Sequence, residues 1–308
     1  SGKVKGVQEF LAHSEIRLET HDKSRALYIA CEKGWIELVE LLLKDEKIDI
    51  NYIDRGKTPL YVACFQKDIE IVKLLLNDKR VKVNEPNMSH NGATPFHVVC
   101  FHNQIEILKL LLKDKRVEVN QAKIDGATGF LGACQYGYTE VVKLLLNDER
   151  IDVNKTAKEN VTPLLLACQN GYIEVVKLLL NDKRVDPNKS TIDGTTPFRI
   201  ACEYGEIEIV ELFLISERIV EESIQDGYQA MKKVMKSPQL GWDDLEDKVQ
   251  NRYLTTLKLL EDYQEDKNQT KLFIGKKLGI LDKISSDIFS LIILIVDNYL
   301  QISQTQIQ

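Results

Sequence analysis

Thr94-Pro95-Phe96-His97-Val98-Val99-Cys100 is the stretch on which the fold turns, because it returns along the chain. Cys31, Cys64, Cys100, Cys134, Cys168 and Cys202 are separated by 33, 36, 34, 34 and 34 residues. Six residues before the last five stands a threonine: Thr58, Thr94, Thr128, Thr162 or Thr196. Proline follows it in every case but Thr128, and Arg25-Ala26 takes the place in the first unit. A fixed period in the thirties is the mark of a solenoid built from one supersecondary module. Threonine caps orphan amides and proline at the first helical position gives up an amide that had no partner, so a short helix runs through each cysteine.

Working outward, Gly34, Lys67, Asn103, Gly137, Gly171 and Gly205 lie three residues past the cysteines, where a left-handed residue ends the helix. Lys67 is the poor fit, since left-handed backbone costs a residue with a β-carbon roughly 1 kcal/mol or more. A glutamate and an apolar block follow, as in Glu140 with Val141-Val142-Lys143-Leu144-Leu145-Leu146, which predicts a second, buried helix. In the four central units Glu and Lys stand three apart and keep the outer face wet. Each unit closes on Asp-x-Arg-Ile/Val-x-Val-Asn or a near variant, as in 148–154, whose alternating Ile151 and Val153 predict a short extended finger.

These motifs resemble the ankyrin repeat, whose hallmark Thr-Pro-Leu-His-x-Ala-Ala is matched by 94–100 and its five relatives across residues 21–216. The resemblance implies an all-α ankyrin-repeat solenoid with short β-hairpin fingers and a helical C-terminal cap. The hallmark histidine survives as His97 and is otherwise Tyr28, Tyr61, Leu131, Leu165 or Arg199, which removes most of the side-chain hydrogen bonds expected there. The extra residue in the loops at 77–80, 113–116 and 181–184 looks like the ankyrin arrays of single-celled eukaryotes.

At the N-terminus Val7 to Leu11, Ile16 and Leu18 align with the outer helix and finger of a repeat without its inner helix, so residues 1–20 read as a truncated repeat or cap. Residues 21–216 hold the six repeats. Gly227-Tyr228-Gln229-Ala230 lies 33 residues after Gly194-Thr195-Thr196-Pro197, which predicts a degenerate seventh repeat over 217–264. Its inner helix is expected at 231–236, its outer helix at 257–262, with an insertion carrying Pro238, Gly241 and Trp242 between them. Residues 265–308 read as a helical cap, including a helix opened by Ser285-Ser286-Asp287.

The 308 residues carry 44% apolar and 29% charged residues, which excludes a disordered or collagenous chain, and a net charge of -6, too balanced to suggest a protein held mainly by polyanions. No segment reaches the 18 or so apolar residues that a membrane span needs, and the apolar run 288–296 reads as a helix buried on the array. Neighbouring solenoid helices pack about 8 to 10 Å apart, beyond disulfide reach, so the cysteines read as small apolar filler in a reducing, cytoplasmic setting. His90, His97, Cys100 and His102 match no zinc spacing, and the Lys-Arg pairs at 79–80, 115–116 and 183–184, each beside an aspartate, read as a solvated mixed-charge edge. No catalytic group, metal ligand or cofactor site is expected.

In a solenoid, positions that vary between units are free to encode a partner. The ankyrin geometry implied by the resemblance puts the finger tips and exposed inner-helix positions on the concave face. On the fingers these are Arg55, Lys57, His90, Asn91, Ile124, Lys158 and Ile192. On the first three inner helices concerned they are Phe65, Gln66, Phe101, His102, Gln135 and Tyr136, and on the last two Gln169, Asn170, Glu203 and Tyr204. Phe65 and Phe101 take the same place in neighbouring units, with Tyr136 one position along, an aromatic row of the kind that anchors a binding hot spot. The expected function is a non-catalytic, monomeric scaffold that docks a protein or peptide on that face, with no nucleic acid or membrane span involved. A second expectation is an adaptor whose C-terminal helices recruit machinery such as a ubiquitin ligase.

Overall fold

The computed structural model describes residues 20–236 and 247–277. Their helices run in pairs: α1 (Thr20–Lys33) with α2 (Ile36–Leu43), α3 (Pro59–Gln66) with α4 (Ile69–Asn77), and α5 (Pro95–Phe101) with α6 (Ile105–Lys113). They continue with α7 (Gly129–Gln135) and α8 (Thr139–Leu146), α9 (Pro163–Gln169) and α10 (Ile173–Asn181), and α11 (Pro197–Glu203) and α12 (Ile207–Ser216). Three longer helices follow: α13 (Glu221–Met235), α14 (Asp247–Glu265) and α15 (Lys267–Lys277). First helices pack on first helices and second on second, so one core runs the length of the array. Every cysteine lies on a first helix, free and fully buried in that core.

Local chemistry sets the helix ends. The threonine hydroxyls accept the amide three residues on, from Tyr61 (3.2 Å), His97 (3.5 Å), Leu131 (3.1 Å), Leu165 (3.0 Å) and Arg199 (3.2 Å). At the other end Gly34, Gly137, Gly171 and Gly205 take positive φ, and so do Lys67 (φ 63°) and Asn103 (φ 54°), as their places in the repeat require. Helix α1 reaches back past Arg25 to Thr20.

The closing motif of each unit works differently from a solvated edge. Arg116 forks onto its own Asp114 (2.7 Å) and donates to the carbonyl of Leu76 (2.8 Å) at the end of the preceding outer helix. Arg80 does the same with Asp78 and Leu43, Arg150 with Asp148 and Leu112, and Arg184 with Asp182 and Leu146. Arg218, without an aspartate two residues before it, still reaches Leu180. A cation at a helix C-terminus satisfies orphan carbonyls and opposes the macrodipole, so each arginine caps the unit before it. The asparagine that ends the motif reaches the other way. Asn120 donates to the Arg150 carbonyl and accepts from the Asp152 amide (2.8 Å), and Asn51, Asn84, Asn154 and Asn188 repeat the pattern.

The fingers are tight turns rather than β-hairpins. Among the described residues there are isolated bridges, Asp54 with Lys57 and Asn87 with Ala93, but no strand. The tips turn on left-handed residues, Arg55 and Gly56 in one and Asn91 and Gly92 in the next, which leaves no length for a ladder. Adjacent tips are joined by single backbone bonds, such as Ile124 N–H to Asn91 O (3.0 Å) and Ile192 N–H to Glu159 O (3.0 Å).

Beyond Ser216 the expected register is three residues out. Helix α13 starts at Glu221, ten residues ahead of the expected inner helix, and packs against α11. A β-carbon on Gly227 would meet the Phe198 ring and Cys202 Sγ (2.9 Å), just as one on Gly129 would meet Phe96 and Cys100 Sγ (2.9 Å). Gly227 therefore takes the place of the helix-opening Pro197, not of the turn glycine Gly194. The cause is a missing finger: Val220 N–H closes the last asparagine rung on Asn188 (3.1 Å), and helix begins at the next residue. Helices α14 and α15 pack on α12 and on each other. The expected features at 1–19, at Pro238, Gly241 and Trp242, and at 278–308 lie outside the described residues.

Candidate functional site

The positions that vary between units come together along the finger tips and the C-terminal turns of the first helices. On the tips, Arg55 is exposed and left-handed, and Lys57 is half-buried with its ammonium 5.4 Å from the Phe65 ring centre. His90 ends a 3-10 turn, its Nδ1 accepting from Asn87 Nδ2 (3.0 Å), while Asn91 donates to the Asp125 carboxylate (2.6 Å). Ile124 and Ile192 are exposed by 61% and 74%, too much for packing to explain. Lys158 is exposed, and its amide binds Asp125 O (3.1 Å) in the tip before it.

On the helix ends, Phe65 and Tyr136 are 43% and 47% exposed, with Gln66 and Gln135 exposed beside them. Phe101 is half-buried, unlike the open aromatic expected there. A β-carbon on Gly132 would fall 1.8 Å from the Phe101 ring, so that ring lies in a notch over the backbone of α7. The rings are linked as Phe65 with His102 (5.7 Å) and Phe101 with Tyr136 (6.0 Å), Tyr136 stacking in turn on Tyr138 (5.8 Å). Further along, Gln169 donates to the Tyr204 hydroxyl (3.3 Å), and Asn170 turns back to Leu166 O (2.8 Å). Glu203 is held by Arg199 (2.9 Å).

Residues absent from the sequence reading join this surface. Lys123 lies 4.9 Å from the Phe101 ring centre and pairs with Asp125 (3.1 Å), and Ile53 and Met88 are exposed on tips of their own. The readable signal for the last two is an apolar residue in a tip that is otherwise polar.

His97 stands apart from this surface. It is 1% exposed, its Nδ1 lies 2.8 Å from Thr94 Oγ1, and its Nε2 donates to Ala127 O (3.1 Å) in the next unit's turn. Burial pushes its imidazole down to about 4, so it is neutral at physiological pH. Burial likewise pushes all six thiols up, which makes them inert filler. Among the described residues no group of three or more His, Cys, Asp or Glu is arranged to hold a metal ion, and no helix is long and apolar enough to cross a membrane.

Stacked helix pairs on a shared core, with non-repeating polar and aromatic residues at the finger tips and first-helix ends, define a repeat solenoid. The family model described as ankyrin repeats (3 copies) matches residues 1–87, 82–157 and 130–226, and the chain belongs to the ankyrin-repeat family. Ankyrin repeats are in general protein–protein interaction modules. Three solved structures are similar, each with a TM-score of 0.58. The ankyrin repeat domain of Bcl-3, a member of the IkappaB protein family, is 23% identical over 63% of this chain and 86% of that one, a likeness of fold. An ankyrin repeat domain from Acinetobacter baumannii AYE is 26% identical over 62% of this chain and 97% of that one. The ankyrin repeat protein EF0377 is 28% identical over 61% and 96%. No curated protein matches the chain.

Proposed function

We propose that this chain is a non-catalytic binding module that docks an extended segment of a protein partner across the first-helix ends of its central units. The observation that carries the reading is the pairing of exposed Phe65 and Tyr136 with side-chain amides at the ends of α3, α7 and α9, namely Gln66, Gln135, Gln169 and Asn170. Aromatic anchors supply contact area with few rotamers to freeze, and side-chain amides both donate to and accept from an extended backbone. Six buried free thiols suit a reducing compartment such as the cytoplasm.

The test uses linear peptides selected from a random display library against the parent protein. Phe65→Ala combined with Tyr136→Ala is expected to weaken the selected peptides at least about 30-fold, the scale of a hot-spot loss near 2 kcal/mol, with the melting midpoint unchanged. Phe101 stays in place because it fills the notch over Gly132. Unchanged affinity in the folded double variant sinks the reading.

A further inference from the structure

The outer helices set Glu70 against Lys73, Glu106 against Lys109, Glu140 against Lys143 and Glu174 against Lys177, and all four lysines are exposed. Helix α12 breaks the series. After Glu208 the corresponding residue is Glu211, and it is 1% exposed, covered where α14 and α15 pack on α12. Its Oε1 takes the ammonium of Lys277 at 2.7 Å, and its Oε2 is buried with no hydrogen-bond partner among the described residues. A buried carboxylate with one oxygen unmatched is unfavourable unless a further donor reaches it.

Glu211 lines a cleft of about 650 Å³ between α12, α14 and α15, within the range of ligand sites. Four carboxylates line it against two ammoniums, those of Lys258 and Lys277. Asp262 and Glu265 have no ion-pair partner among the described residues, and Leu259 and Phe273 supply an apolar wall, Phe273 being 64% exposed. Lys277, the internal cation, is itself 43% exposed and so sits where an incoming cation can displace it.

We propose that this cleft receives an arginine side chain from a segment of a partner protein. A guanidinium brings five donors in a fixed fork, enough to reach the orphan oxygen of Glu211 and a second carboxylate at the rim. Its methylene stem suits the Leu259 and Phe273 wall, as long charged side chains lay their stems on apolar surface. The excess of carboxylates excludes an acidic partner. The site lies at the C-terminal end of the array and does not depend on the aromatic surface.

The probe is the peptide acetyl-Leu-Arg-Leu-amide, titrated into the full chain and followed by backbone amide resonances, with the isosteric citrulline peptide as the neutral control. The expected result is shifts confined to α12, α14 and α15 and at least 10-fold weaker binding of the citrulline peptide. Asp262→Asn with Glu265→Gln, both on the accessible rim, should weaken the arginine peptide several-fold without lowering the melting midpoint. The proposal is overturned if the citrulline peptide binds equally well, if the shifts fall elsewhere, or if the carboxamide variant binds like the parent. Agmatine binding as tightly as the peptide also overturns it, since the cleft is then a site for free small cations.

Discussion

His97 shows how one side chain of the repeat can carry a pH dependence for the whole array. Its folded imidazole sits at about 4 and an unfolded one near 6.5. Between those values the unfolded chain holds the extra proton. The stability His97 confers is therefore full above pH 6.5 and lost as pH falls towards 4, with about 2 kcal/mol gone by pH 5. Leu131 and Leu165 fill the same position in the next two units, both buried, so His97→Leu is a substitution this fold already accommodates. Urea unfolding at pH 7.5 and pH 5.0 is expected to show that loss in the parent and not in the variant. Equal losses in both proteins would place the acid sensitivity elsewhere. At this scale the sequence was readable where a residue's role is local: the threonine caps and the left-handed Lys67 are both where spacing put them. It was unreadable where one unit leans on the next. Phe101 is half-buried because Gly132, 31 positions on, lacks a β-carbon, and no pattern within one unit carries that information.

At the scale of elements, the arginine and asparagine of the closing motif are the joints between units. Arg150 joins its own Asp148 to Leu112 O (2.9 Å) in the outer helix before it, and its guanidinium holds the Asp148 carboxyl below the usual range. Lysine keeps the charge but cannot fork. Arg150→Lys is expected to lower the free energy of urea unfolding by about 1 to 2 kcal/mol, while the exposed neighbour Glu149→Ala changes it by less than about 0.5. No difference between the two would show that the fork contributes nothing beyond its charge. The motif itself was plain in the sequence, and its chemistry was not. Side by side, Asp, Lys and Arg read as a wet edge, because spacing gives neither the direction of a side chain nor the carbonyls of a helix 38 residues earlier. The fingers were misread for a related reason: alternating Ile151 and Val153 satisfy a strand pattern, but both side chains are buried in a turn.

At the scale of the whole molecule, each unit of a repeat stack leans chiefly on its neighbours, so local stability follows what each element packs against. Among the described residues, α15 buries Ile274 and Thr270 and is tied to the array by Lys267 to Glu221 (2.5 Å), Lys271 to Glu217 (2.9 Å) and Lys277 to Glu211. Pairs with exposed partners weaken as salt shortens the screening length from about 10 Å at 0.1 M to about 3 Å at 1 M. Raising salt over that range should speed amide hydrogen exchange in α15 several-fold and leave α5 to α10 unaffected, with Lys271→Glu giving the same change at low salt. Exchange in α15 that ignores both would show that its apolar contacts hold it. The end of the periodic pattern was visible in the sequence, but the three-residue shift at Gly227 was not, since a glycine that opens a turn and one that makes room inside a helix look alike. The joints described above have a genealogical consequence. Every arginine faces backwards and every asparagine faces forwards onto the same kind of backbone group, so excising residues 121–154 would set Asn120 before Lys155 and offer it Arg184 in place of Arg150. A lineage can thus lengthen or shorten this array by whole units, through unequal copying, without inventing a new kind of junction.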